Sequence, residues 1–219
     1  MKKLGLIGVS VTFLLLTGCI TIFEKYTIKA DGSGTMEYLI DMSEMYEMMA
    51  SFSDSTESME TDEIDKSMRE SLPLLNSIDG VSNAVLTGDA AHFIAGIKFD
   101  FKNATALNKA LAIVLEGEET AGKEIQYVAI KGKKFTRFSN TSKEFNKEEL
   151  LGSQELDKET TKMMLESMKY KISVTFEKTV KKVTTLATFT KEGKTVDVES
   201  NFSQIFDNTE ILKTVIKTR

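Results

Sequence analysis

Residues 20–42 read ITIFEKYTIKADGSGTMEYLIDM, two alternating segments joined by a short polar turn. In the first segment Ile20, Ile22, Tyr26 and Ile28 alternate with Thr21, Phe23, Thr27 and Lys29, and in the second Met36, Tyr38, Ile40 and Met42 alternate with Glu37, Leu39 and Asp41. A period of two indicates strands with one buried face, and the stretch Asp31-Gly32-Ser33-Gly34 is typical of a turn. The stretch therefore predicts a β-hairpin.

The same strand pattern recurs along the rest of the chain. Further hairpins are predicted over 81–101, with a turn at Gly88-Asp89, and over 125–138, with a turn at 131–134. Residues 170–177, YKISVTFE, give the cleanest alternation, and a last pair of strands is predicted within 186–199. Clean alternation of polar and apolar residues favours antiparallel strands that expose one face to water.

Helical spacing follows most of these hairpins. Ser43 and Asn103 are candidate N-caps, the second before a stripe spaced i, i+3, i+4, i+7 and i+8: Leu107, Ala110, Leu111, Val114 and Leu115. Asp207 and Glu210 resemble a capping box, which predicts a final helix containing Ile211, Leu212, Val215 and Ile216. Methionines mark two other predicted helices, one after Ser43 and one around residue 165.

The order of elements predicts an α+β fold. We expect an antiparallel sheet built of repeated strand-strand-helix units, with the helices packed on one face, over a single domain of residues 19–219. Within it, residues 53–70 read SDSTESMETDEIDKSMRE and predict an acidic, solvated loop leading into a helix that ends near Pro73.

Composition excludes several classes of site. Among 219 residues there are one Cys, one His and no Trp, so a disulfide framework, a cysteine zinc cluster and a multi-histidine metal site are not expected. The 33 acidic and 28 basic residues give a net charge of −5, which provides no basis for binding nucleic acid. No nucleophile, base and orienting acid occur in a recognisable pattern. We therefore expect no cofactor, no metal and no enzymatic activity.

The N-terminus carries a targeting pattern. Lys2 and Lys3 precede an apolar run over 4–16, which ends in Leu16-Thr17-Gly18-Cys19. This tetrapeptide resembles the lipobox of bacterial lipoprotein signal peptides. The resemblance implies that residues 1–18 are a cleaved signal peptide and that Cys19 receives a diacylglyceryl group on its sulfur. Two other interpretations stay open: a spanning helix over 4–23, or a Cys19 that is simply a buried small side chain.

The same resemblance implies a location. A lipidated Cys19 would anchor the chain in the cell membrane or outer membrane through acyl chains such as palmitate. Ile20 follows it where an inner-membrane retention signal has Asp, which favours the outer membrane and a domain that faces the periplasm. The order of Cys, strand, Asp/Gly turn and strand over 19–42 is also similar to mycobacterial envelope lipoproteins with a periplasmic lipid-binding domain.

The chain contains 11 methionines, concentrated at 42–49 and 163–168. Their spacing is typical of core filler; the alternatives are a copper(I) site and a deformable groove for a hydrophobic ligand. The groove would be lined by Met45, Met48, Met49, Met163, Met164 and Met168.

Two functions follow from these observations. The first is a non-enzymatic envelope lipoprotein that serves as a structural or interaction module for envelope proteins at the membrane surface. The second is a carrier or sensor of lipid or another hydrophobic ligand, held between helices and sheet. A continuous apolar cavity of a few hundred Å³, walled by Met48, Met49, Met163 and the inward strand residues, would favour the carrier, and a filled interface would favour the module.

Overall fold

The computed structural model describes residues 20–52, 62–117, 125–139, 158–208 and 210–219, with the backbone only at 48–52, 62–65, 90 and 116. Cys19 and the predicted signal peptide lie outside these residues. The described ranges contain the strands β1 (Thr21–Ile28), β2 (Gly34–Asp41), β3 (Val81–Asp89), β4 (Ile94–Phe101), β5 (Val128–Lys131), β6 (Lys134–Arg137), β7 (Lys169–Phe176), β8 (Val180–Thr184), β9 (Thr188–Glu192), β10 (Thr195–Asn201) and β11 (Thr214–Thr218). The helices in the described ranges are α1 (Ser43–Phe52), α2 (Asp62–Ser77), α3 (Ala104–Glu116), α4 (Lys158–Ser167) and α5 (Phe202–Asp207).

Seven strands form a large mixed sheet in the order β3-β4-β2-β1-β7-β10-β9. Strand β1 lies at its centre and pairs along all eight residues with β2 on one side and β7 on the other. The β1–β7 pair is parallel, whereas the other pairs are antiparallel. One face is buried, and β1 contributes Ile22, Tyr26 and Ile28 to it. This central strand carries the alternation of residues 20–28, as predicted.

A second, antiparallel sheet has the order β5-β6-β11-β8 and covers part of the buried face of the large sheet. Phe135 of β6 packs against Tyr26 of β1, with ring centroids 5.5 Å apart, and against Phe176 of β7 at 6.1 Å. Helices α2 and α3 pack on β3 and β4, and α5 lies beside β10. Phe202 of α5 meets the ring of Tyr170 at 6.3 Å. The core is therefore shared among two sheets and their helices.

The predicted fold class is wrong. The large sheet is mixed rather than antiparallel, and its buried face is covered in the middle by a second sheet, not by helices packed along it. The strand-strand-helix order also breaks down after β6, because β7, β8, β9 and β10 follow one another without a helix. Alternation identifies a strand with one buried face, but it does not say whether a helix or another sheet covers that face.

Most local elements agree with the sequence pattern. The predicted hairpins correspond to β1–β2, β3–β4, β5–β6 and β9–β10, and predicted helices correspond to α1, α3 and α4. Asn103 caps α3, since its side chain accepts a hydrogen bond of 2.9 Å from the backbone N–H of Ala106. The predicted end near Pro73 of the helix after the acidic loop is wrong, because α2 begins at Asp62, inside the predicted acidic loop, and continues through Pro73 to Ser77. Residues 53–61 of that loop lie outside the described residues.

The predicted C-terminal helix is wrong. The capping box belongs to the preceding helix α5, where the side chains and backbones of Asn201 and Gln204 bond reciprocally. Residues 214–218 form β11, in which Thr214, Ile216 and Thr218 are buried. A run of a few apolar residues fits both periods, and pairing with β6 and β8 decides in favour of the strand.

Gly34 gives a test of the central hairpin. A Cβ at this position would lie 1.9 Å from the backbone oxygen of Thr27 and 2.8 Å from the ring of Phe101. We expect Gly34→Ala to lower the free energy of unfolding by about 1–3 kcal/mol, because the backbones of β1 and β2 must separate. Urea denaturation measures this loss. The control Thr27→Ala changes an exposed side chain on the same strand pair, and an equal loss in both variants would contradict the steric explanation.

Candidate functional site

A cavity of about 390 Å³ lies between helices α2 and α3 and the strands β2 and β4. Seven of the ten described residues that line it have apolar or aromatic side chains: Tyr38, Ile40, Met68, Ile97, Ile113, Val114 and Leu115. Ser67, Ser71 and Gly117 complete it. The cavity is partly open to solvent, so a ligand could enter without unfolding the core.

Local sequence explains why space remains between these helices and the sheet. The stripe of α3 buries Leu107, Ala110 and Leu111 in the core, and the helix then ends at Gly117, whose N–H donates to the carbonyl of Ile113 at 3.0 Å. Helix α2 presents small side chains at this level, because Ser67 and Ser71 are one turn apart. Ser71 Oγ donates to the carbonyl of Ser67 at 3.0 Å. Small residues on α2 opposite the last turn of α3 leave the cavity unfilled.

The chemistry of the wall selects the kind of ligand. No Asp, Glu, His, Lys or Arg side chain lines the cavity among the described residues, and its polar side-chain groups are the phenol of Tyr38 and the hydroxyls of Ser67 and Ser71. A charged ligand group placed there would lose hydration without gaining a charged partner. The cavity therefore suits a neutral group with an apolar part and an uncharged polar part. Its volume lies within the range of about 300–1,000 Å³ for small-molecule sites.

The described methionines of the predicted groove do not line this cavity. Met45 on α1 and Met163 and Met164 on α4 are half-buried, and Met168, just after α4, is buried. None of these four lines the cavity, and the methionine that does so is Met68 of α2. The side chains of Met48 and Met49 lie outside the described part of the chain, so a groove with those walls stays a prediction.

A buried ion pair joins the two sheets. Glu24 of β1 and Arg137 of β6 both have side chains with no exposed area, and Arg137 Nε and Nη2 donate to the two carboxylate oxygens at 2.9 and 2.6 Å. The hydroxyls of Tyr26, at 2.5 Å, and of Tyr170 also donate to this carboxylate. The guanidinium lies 5.8 Å from the ring centre of Tyr127 and donates to the carbonyl of Phe138.

Electrostatics keep this pair ionised. Burial raises the pKa of Glu24, but the charge of Arg137 and hydrogen bonds from Arg137, Tyr170 and Tyr26 outweigh it and hold the pKa below its ordinary value of 4.5. Neither residue was predicted from the sequence to belong to a site. The signal was present, because Glu24 falls in phase with Ile22 and Tyr26 on the apolar face. A carboxylate at such a position predicts a buried partner.

Polar groups elsewhere do not assemble into a second centre within the described ranges. His92 is exposed at the β3–β4 connection and its Nδ1 lies 2.6 Å from Asp89, and this hydrogen bond lowers the pKa of Asp89. The described residues contain no group of three or more His, Cys, Asp or Glu side chains that could hold a metal ion. Within the same ranges, every helix is too short or too polar to cross a membrane.

Comparisons with known proteins show no family for this chain. No protein-family model matches the chain, and no curated protein matches it. Among solved structures, the NMR structure of the folded domain of LppM from Mycobacterium tuberculosis is similar, with a TM-score of 0.44 and 10% sequence identity. The similarity covers 93% of this chain and 91% of that chain. At this TM-score it assigns neither function nor ligand to this chain.

Removing one partner of the buried pair tests its role. We expect Glu24→Gln to lower the free energy of unfolding by about 3–5 kcal/mol, because Arg137 would remain charged and buried without a counter-ion. The double variant Glu24→Leu with Arg137→Met removes both charges, and we expect it to regain most of that loss. Urea denaturation of the wild type and both variants measures these energies.

Acidification provides an independent readout of the same pair. Because the pKa of Glu24 is lower in the folded state, its stabilisation is present above the unfolded pKa of about 4.5 and is lost as pH falls through the folded value. The free energy of unfolding of the wild type should therefore fall relative to that of the double variant below about pH 4.5. A difference that stays constant across the acid range would contradict the assignment.

Proposed function

We propose that this chain is a lipid-anchored, non-enzymatic envelope module that holds a hydrophobic ligand between its helices and its large sheet. The observation that carries the proposal is the cavity of about 390 Å³ between α2, α3 and the sheet, which seven apolar or aromatic side chains line together with two serines and a glycine. A module that only contacts envelope proteins has no use for such a space, and filling it would stabilise the fold. The carrier hypothesis therefore has the better support.

The wall also defines the ligand class. With Ile97 and Ile113 in the wall and no Asp, Glu, His, Lys or Arg among its described residues, an acyl chain or another neutral apolar moiety is the matching occupant. The hydroxyls of Ser67 and Ser71 offer weak orientation for one polar atom of such a ligand. A headgroup with charge would remain in solvent at the open side of the cavity.

The anchor rests on the sequence Leu16-Thr17-Gly18-Cys19, which resembles a lipobox. Strand β1 begins at Thr21, so only Ile20 separates the proposed lipidated Cys19 from the folded domain. Two or three acyl chains hold a protein on a bilayer far more tightly than one. The domain would therefore stay beside the membrane surface, where a carrier of acyl-chain ligands meets its supply.

The anchor is tested at Cys19. We expect Cys19→Ser to remain uncleaved and to take up no fatty acid, because a hydroxyl does not replace the thiol that receives the diacylglyceryl group. Metabolic labelling with an alkyne fatty acid and intact mass measurement report both steps. The control Thr21→Ser, on the first residue of β1, should be processed and labelled like the wild type. Fatty-acid labelling of Cys19→Ser would contradict the assignment.

The cavity is tested by photo-crosslinking in living cells. We expect p-benzoylphenylalanine in place of Val114, which is half-buried in the cavity wall, to capture a small hydrophobic molecule that intact mass detects. The matched control places the same residue at Val85, which is 50% exposed on the edge strand β3. Adding Ser71→Phe, which fills the cavity, should reduce the captured fraction several-fold.

Two outcomes would contradict this function. Equal capture at Val114 and Val85 would mean that crosslinking reports the surrounding membrane rather than the cavity. Capture of proteins at Val114, with no small-molecule adduct, would favour the interaction module. A second probe at Leu115 in the same wall guards against a misfolded Val114 variant.

A further inference from the structure

Four lysines form a continuous row across the second sheet, one from each strand. Lys131 of β5 pairs with Lys134 of β6, Lys134 pairs with Lys217 of β11, and Lys217 pairs with Lys182 of β8. Residues directly opposite in antiparallel strands point to the same face, so all four side chains share one face of the sheet. All four are exposed. We call this set the lysine row.

Such a row opposes folding. Neighbouring strands lie about 4.8 Å apart, and like charges placed directly opposite each other destabilise a sheet. None of the four lysines forms an ion pair with another described residue. The large sheet has the reverse arrangement on its open face, where Lys25 lies opposite Glu37 and Lys171 opposite Glu199, each within ion-pair distance. The second sheet therefore places lysine opposite lysine, whereas these pairs of the large sheet place lysine opposite glutamate.

Further cations surround the row. Lys133 lies in the β5–β6 turn, and Lys29 and Lys178 line a small cleft together with Lys133 and Lys134. The acid in this cleft, Glu177, accepts a hydrogen bond of 2.8 Å from the backbone N–H of Ala30. The chain as a whole carries a net charge of −5, so this basic surface is a local concentration against the overall charge. Its chemistry fits a surface with several closely spaced anions.

We propose that the lysine row docks on the anionic phospholipid headgroups of the membrane that holds the lipid anchor. This rests on the proposed anchor at Cys19, which keeps the domain within reach of a bilayer. Gly32, in the turn after β1, lies beside Ile130 of β5, so the row is near the end of β1 opposite Cys19. Strand β1 spans roughly 26 Å over its eight residues.

The two contacts together orient the domain. With the acyl chains at one end of β1 and the lysine row near the other, the domain lies on its side along the bilayer. Each lysine near an anionic surface adds an attraction that falls as the ionic strength rises. Four lysines would hold this orientation at moderate salt. Leu186, which follows β8 and is 66% exposed, adds an apolar side chain close to the same sheet.

The test uses the full lipidated chain in vesicles, with Lys133→Cys labelled by an environment-sensitive fluorophore. The lipidated Cys19 has no free thiol, so the dye marks the turn beside the row. We expect a blue shift in phosphatidylcholine vesicles that contain phosphatidylglycerol, no shift in pure phosphatidylcholine, and reversal at high salt. Lys134→Gln with Lys217→Gln should abolish the shift. The matched control, Lys109→Gln with Lys191→Gln, removes the same charge from exposed lysines elsewhere and should retain it.

Stability supplies the second readout. Because the lysines of the row repel one another, the double variant Lys134→Gln with Lys217→Gln should have a higher melting temperature than the protein with the intact row. This comparison is made in the absence of anionic lipid. A lower melting temperature would mean that these lysines stabilise the sheet, and it would overturn the proposal. If the protein floats with both kinds of vesicle but the emission of the fluorophore is the same in each, the membrane-docking proposal is also overturned. The lipid anchor is then unaffected.

The remaining outcomes separate the sources of negative charge. A blue shift produced by soluble polyphosphate in pure phosphatidylcholine vesicles, and not by phosphatidylglycerol, would assign the row to a soluble polyanion and overturn the membrane proposal. Protein that does not float with phosphatidylcholine vesicles, or that takes a second dye at Cys19, would refute the lipid anchor. Binding to anionic vesicles by such protein, lost with the lysine variants, would still support the row.

Discussion

The ion pair between Glu24 and Arg137 is the constraint on which the arrangement of the two sheets depends. Both groups are removed from water, and a buried charge is tolerated when its partner and its hydrogen bonds are in place. The carboxylate is held by Arg137 from the second sheet and by hydroxyls of Tyr26 and Tyr170 from two adjacent strands of the first. A shift of one sheet over the other would leave charges unpaired, so the pair fixes their relative position.

The position of the second sheet determines which part of the large sheet the helices can cover. Because β6 and its neighbours cover the middle of the large sheet, α2 and α3 pack at the β3–β4 side. There the last turn of α3 and the serines of α2 lie on opposite sides of the cavity, above β2 and β4. The outer face of the second sheet then carries the lysine row, on the side away from the ion pair. The cavity and the row thus follow from the same sheet-on-sheet packing.

Local features of this fold were predictable because their causes are local. The turn at Asp31-Gly32-Ser33-Gly34 and the cap at Asn103 involve residues within a few positions of each other, and both agree with the structure. The parallel pairing of Thr21 with Lys169 and the packing of Tyr26 on Phe135 join distant parts of the chain. Alternation says that a strand has a buried face, but it contains no information about the element that covers it.

The buried pair shows how more could have been inferred. Glu24 stands in phase with the apolar residues of β1, and Arg137 stands in phase with Phe135 on β6. Each is a charge on an apolar face, which sequence alone identifies as needing a partner. What sequence alone does not give is that the two meet, since 113 positions separate them. The cavity was even harder to predict from the sequence, because it arises from small side chains rather than from a motif.

The lysine row could not be predicted from the net charge, because it too depends on pairing between distant parts of the chain. A total of −5 describes the whole chain, whereas the row is assembled by strand register from positions 131, 134, 182 and 217. No sequence window contains all four, and β8 itself was not predicted, because two adjacent lysines interrupt its apolar pattern. Sequences that fold well tend to agree with local rules, and departures concentrate where function requires them. A row of opposed lysines in a protein that elsewhere opposes lysine with glutamate is such a departure, and an anionic surface is the partner that would remove its cost.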